Sequence, residues 1–102
     1  MKLAILPSAR EDLAEGLAFY EPQGEGLGSY FLESLYSDID SLRLFAGIHR
    51  KVFGFHRMLS KRFPYAVYYS MEAETISVRA VLDCRRDPAW TGKRLKGDRP
   101  DL

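Results

Sequence analysis

The sequence predicts an α+β domain in the order β-α-α-β-β-β, with an antiparallel sheet packed on an α-helical hairpin. Two observations carry this. Apolar residues recur every three or four positions from Ala9 to Phe45, and every second position from Phe53 to Leu82. A third bounds it: 102 residues, 46% hydrophobic and 28% charged, supply one core and not two. Residues 1–102 are therefore expected to form a single domain.

The elements follow in order. "KLAIL" (residues 2–6) is a short apolar run stopped by Pro7 and reads as a strand. Ser8 and Glu11 in "SARE" have the spacing of a capping box, which predicts a helix start at Ser8. Ala9, Leu13, Leu17 and Tyr20 form its apolar stripe, and Pro22 with Gly24 ends it. The glycines of "GEGLG" lack the Lys-Ser/Thr of a phosphate loop and read as a link between helices. Phe31, Leu35, Ile39, Leu42 and Phe45 give the second helix, closed by Gly47. Three strands follow, with Phe53, Phe55 and Leu59, then Phe63, Tyr65, Val67 and Tyr69, then Ile76, Val78, Ala80 and Leu82 as their apolar rows. In the last strand Thr75, Ser77, Arg79 and Val81 are expected on the opposite face, open to solvent or a ligand. Residues 91–102 read as a basic tail, either a short helix or a flexible extension.

Composition excludes several classes. One cysteine, Cys84, forbids an intramolecular disulfide, and no Cys/His cluster has the spacing of a metal site, so no metal or cofactor is expected. Cys84 itself reads as a small buried residue. His49 and His56 have no third ligand and read as surface or packing residues. The N-terminus lacks a secretory core and no stretch is long enough to span a membrane, which predicts a cytoplasmic protein. Residues 1–46 hold three Lys/Arg against eight Asp/Glu, whereas residues 47–102 hold twelve against six. The basic half can present a positive face to a polyanion or an acidic partner.

Arg57, Arg62, Arg79, Arg85 and Arg86 fall on strands or strand ends of one sheet. With Tyr68 and Trp90 they form the candidate binding surface. Asp83 and Asp87 are the alternative, structural partners for Arg85 and Arg86.

"LPSAREDLAEGLAFY" and "FPYAVYYSMEAETISVRAVLDCRRDPAW", in this order, resemble the RelE/ParE superfamily of bacterial type II toxin-antitoxin toxins, over residues Lys2 to Trp90. The resemblance implies the RelE/ParE-like toxin fold and a plasmid-stabilisation (addiction) toxin that halts growth. It implies a cognate antitoxin with an acidic amphipathic segment, giving a hetero-oligomer, and a monomer or dimer when the toxin is free. Members like ParE act on DNA gyrase without being enzymes; members like RelE cleave mRNA on the ribosome. Here Ala66 stands where RelE-like ribonucleases carry Arg, Asp83 stands where many relatives have His, and no Tyr follows Tyr69. The basic pair Arg85 and Arg86 matches, but a guanidinium that never deprotonates is a poor acid or base. The expectation is a ParE-like gyrase inhibitor, with Arg85, Arg86 and Asp83 as the catalytic set in the ribonuclease alternative. A non-toxic binding module with the same fold is the second alternative.

Overall fold

The computed structural model describes residues 1–97. A five-stranded sheet has the order β1-β5-β4-β3-β2, built from β1 (Lys2–Ile5), β2 (Lys51–Val52), β3 (Phe55–Leu59), β4 (Tyr65–Glu72) and β5 (Thr75–Asp83). The helices are α1 (Pro7–Tyr20), α2 (Leu27–Asp40), the single turn α3 (Leu42–Phe45) and α4 (Pro88–Gly97). The α+β class and the helical hairpin are as the sequence predicts, and β3, β4 and β5 form the expected antiparallel meander. The sheet as a whole is mixed, because β1 joins β5 in parallel.

That parallel edge fixes how α1 begins. The last ladder bond of β1 runs from the Leu6 amide to the Val78 carbonyl at 3.0 Å. Pro7 has no N–H to continue the strand and sits favourably at the first helical position. β5 runs on beyond this point, and side chains of α1 satisfy its freed edge. The Ser8 hydroxyl donates to the Arg79 carbonyl at 3.0 Å, and the Asp12 carboxylate accepts from the Val81 amide at 3.0 Å. The capping box is thus corrected: α1 has Leu6 at its cap with no side-chain cap bond, and Ser8 is spent on the sheet.

The second correction concerns the faces of β5. Tyr68 pairs with Ala80 and Tyr69 with Val78, so Arg79 is an extra residue opposite no partner, a β-bulge. Strict alternation is lost there. Ile76, Val78 and Val81 join Tyr65, Val67 and Tyr69 in the core against the hairpin, where Leu13, Phe31, Leu35 and Ile39 lie. Ala80 and Leu82 go to the opposite face. That face is not open along its length: α4 lays Leu95 on Phe55, Ala66, Tyr68, Ala80 and Leu82. Residues 91–97 of the expected basic tail therefore belong to a packed helix, and 98–102 lie outside the described residues.

Phe45 is half exposed, because the chain turns at Ser41 and α3 lasts one turn; Leu59 is likewise exposed. The "GEGLG" link is held by Glu21, whose carboxylate accepts from the amides of Gly26 at 3.1 Å and Gly28 at 2.8 Å. Phe53 and Gly54, at φ 56° and 88°, make the tight turn between β2 and β3.

Candidate functional site

The end of the sheet where β4 begins and β5 stops gathers the charged residues. Cys84 donates its amide to the Pro64 carbonyl at 2.8 Å, which ties the exit of β5 to the turn before β4. Asp87 then opens α4 by accepting from the Ala89 amide at 3.0 Å, a helix cap and not an arginine partner.

Arg85 and Arg86 have different fates. Arg85 folds back on Asp83, donating Nε to one carboxylate oxygen at 2.9 Å and Nη2 to the other at 2.7 Å. This fork holds the Asp83 carboxyl below its usual range, with the Arg85 hydrogen bond as the main cause and burial opposing it. The Arg85 side chain is 56% exposed, so the pair contributes under about 1 kcal/mol to stability. Arg86 instead lays its guanidinium over the Trp90 ring, 4.0 Å from the centroid, and has no ion pair among the described residues. Trp90 is 38% exposed.

The remaining sequence candidates are dispersed. Arg57 donates Nε to the Tyr68 hydroxyl at 3.2 Å and reaches the Cys84 sulfur at 3.6 Å. Tyr68 is 4% exposed, so it braces Arg57 and offers no ring for stacking. Cys84 is exposed, contrary to the buried role expected of it, because β5 has ended one residue earlier. Arg79 is bound to Ser70 and Glu72 and lies over Phe55. Arg62 sits exposed on the turn between β3 and β4. Two clefts flank Arg86. One of about 220 Å³ includes Arg57, Tyr68, Cys84 and Thr91; the other, of about 330 Å³, includes Glu15, Phe19, Tyr65 and Trp90.

Sequence reasoning missed the second cleft. Asp12, Glu15, Gly16 and Phe19 recur at helical spacing beside the core stripe of α1, and that second stripe was the available signal. Tyr65 had been legible only as core.

His49 and His56 have the packing role. The Tyr69 hydroxyl accepts from the Gly47 amide at 2.9 Å and donates to Nδ1 of neutral His49 at 2.6 Å, while His56 donates Nδ1–H to the His49 carbonyl at 2.6 Å. Burial, then the nearby His56, lowers the His49 pKa. An unfolded His49 takes up its proton first as pH falls below 6.5, so acid favours unfolding from there down to the lowered folded value. Stability is therefore expected to fall with pH over this window. Urea titrations at stepped pH check it, and the slope should flatten in His49→Gln.

The fold and the paired clefts define an α+β protein with a mixed sheet, a helical hairpin on one face and a short C-terminal helix on the other. Among solved structures, the same fold occurs in a chain of the "Chromosomal ParDE TA system from P. aeruginosa": TM-score 0.73, 19% identity, covering 79% of this chain and 92% of that one. No family model matches the chain, and no curated protein matches it by sequence. Among the described residues, no helix is long and apolar enough to cross a membrane.

Proposed function

We propose that this chain is the toxin of a type II toxin-antitoxin pair, neutralised by a cognate antitoxin, and that it acts in the ParE manner on DNA gyrase. Its fold is that of a chain in a ParDE toxin-antitoxin system, which supports the first half of the reading. One observation of the site carries the second half: Arg86 is presented on Trp90 with no ion pair among the described residues, while Asp83 and Tyr65, which could serve a ribonuclease in proton transfer, are tuned away from it. Asp83 is locked ionised by Arg85, and the Tyr65 hydroxyl is pushed up to about 12, by burial first and then by Asp83. Neither lies near the working pH that acid-base catalysis requires. Ala66 is fully buried under α4, where it contributes packing and no charge.

Arg86 is the central contact on this reading, Arg57 on β3 lines the same cleft, Arg62 lies exposed on the turn between β3 and β4, and Arg85 shapes the surface through Asp83. The purified chain is expected to inhibit gyrase supercoiling of plasmid DNA. Arg86→Ala should weaken that inhibition by about tenfold or more, the worth of one charge-assisted contact, with an unchanged circular dichroism spectrum. Undiminished supercoiling at saturating protein would remove the gyrase reading.

A further inference from the structure

The segment that joins the helical hairpin to β2 carries apolar side chains that the core does not use. Leu44 is 82% exposed, Ile48 73% and Phe45 52%, so three large hydrophobic residues stand in solvent within five positions. The fold imposes this exposure. Leu42, with no exposed surface, plugs α3 into the core, and the Gly47 amide donates to the Tyr69 hydroxyl at 2.9 Å, which pins both ends of the segment. Between these anchors the Ile48 amide donates to the Phe45 carbonyl at 3.3 Å, with Ala46 at φ −56° and ψ 138° and Gly47 at φ 97°. This is a type II turn, which brings Phe45 and Ile48 together and needs glycine at its third position. The side chains therefore cannot fold back onto the core.

The charge around this tip says what covers it. Residues 40–51 hold Arg43, Arg50 and Lys51 against one carboxylate, Asp40, which Arg43 takes at 2.8 Å. Arg50 and Lys51 are exposed and have no ion pair among the described residues. A second copy of the chain is a poor cover, because a two-fold contact sets these cations against their own kind. A docked peptide needs a groove, whereas side chains this exposed project from the surface. We infer that this tip docks on an anionic lipid surface, with Leu44, Phe45 and Ile48 entering the headgroup–acyl boundary and Arg50 and Lys51 on the lipid phosphates. A deformable apolar layer beneath a sheet of negative charge accepts a convex apolar tip flanked by cations. Different elements carry Arg86, so lipid binding and any action on gyrase are separable.

The full chain is floated with vesicles of phosphatidylcholine alone and with vesicles of equal parts phosphatidylcholine and phosphatidylglycerol, at the same salt concentration. Binding to the anionic vesicles is expected, and binding to the neutral ones at least about tenfold weaker. Leu44→Ser/Ile48→Ser, at exposed positions that leave the core intact, should lower the partition by about tenfold or more. Arg50→Gln/Lys51→Gln should lower it by about tenfold on the anionic vesicles alone. No binding to the anionic vesicles, equal binding to both kinds, or undiminished binding by folded Leu44→Ser/Ile48→Ser would overturn the assignment. Failure on lipid together with a concentration-dependent dimer in the ultracentrifuge, lost in the same double variant, would assign the patch to a second copy instead.

Discussion

Replacing Asp12 by alanine is expected to cost about 3 kcal/mol of folding stability, the low end for removing one partner of a buried ion pair. Asp12 is 7% exposed and serves two elements at once. Its oxygens take the Arg94 guanidinium in a fork at 2.8 and 2.9 Å, and one of them also accepts the Val81 amide. The substitution leaves a buried N–H on the freed edge of β5 and removes the two-pronged fork from Arg94, whose side chain is 23% exposed. α4 then keeps Leu95 but loses its charge anchor to α1. Urea unfolding of the full chain measures the loss. The double variant Asp12→Ala/Arg94→Met should recover part of it, because the desolvated cation that lost the Asp12 fork goes too. A loss under about 1 kcal/mol would show that Arg94 re-solvates freely and that Asp12 anchors nothing.

Phe31→Ala is expected to cost about 3–5 kcal/mol, the range for deleting a large buried ring. Phe31 has no exposed surface and lies 5.2 Å from Tyr20, 5.1 Å from Phe63 and 4.9 Å from Tyr65, centroid to centroid. It also fills the space beside Gly16, where a Cβ would stand 2.4 Å from two of its ring carbons. Helices α1 and α2 approach each other at that glycine, so the cavity left by alanine cannot close without moving α1. Phe31→Leu should lose less than half as much, since it retains most of the volume. Equal losses in the two variants would mean that ring-ring geometry, and not volume, dominates the cluster. Thermal or urea denaturation decides between them.

Much of this architecture was legible in the residues. The stripes of α1 and α2 and the β4 row of Tyr65, Val67 and Tyr69 are direct prints of the 3.6 and 2 periods, and Pro7 marks the strand-to-helix switch. The expected β3 row is not, since Phe53 lies in the turn before the strand, Phe55 packs on the α4 side, Leu59 is exposed, and Met58 is the β3 residue in the hairpin-side core. Ser8 misled because its spacing to Glu11 fits a cap equally well, and only the tertiary edge of β5 decides where its hydroxyl goes. The β5 faces were misread for a similar reason. A bulge at Arg79 depends on pairing with β4, and no local signal in "SVRAVL" announces it. The site was partly visible: the charge run after Asp83 was plain, whereas the division of labour between Arg85 and Arg86 rests on which side chain meets Asp83 and which meets Trp90. Tyr65 and Glu15 were out of reach, since 50 residues of chain separate them and the fold alone brings them to one cleft.

The central claim, a toxin directed at gyrase, is tested most directly by inducing the chain alone in a bacterial host that lacks an antitoxin, and following labelled thymidine and labelled methionine incorporation over the first minutes. The account predicts that thymidine incorporation falls first while methionine incorporation continues, and that Arg86→Ala blunts the fall. Methionine incorporation falling first, or neither falling while folded protein accumulates in solution, would contradict it.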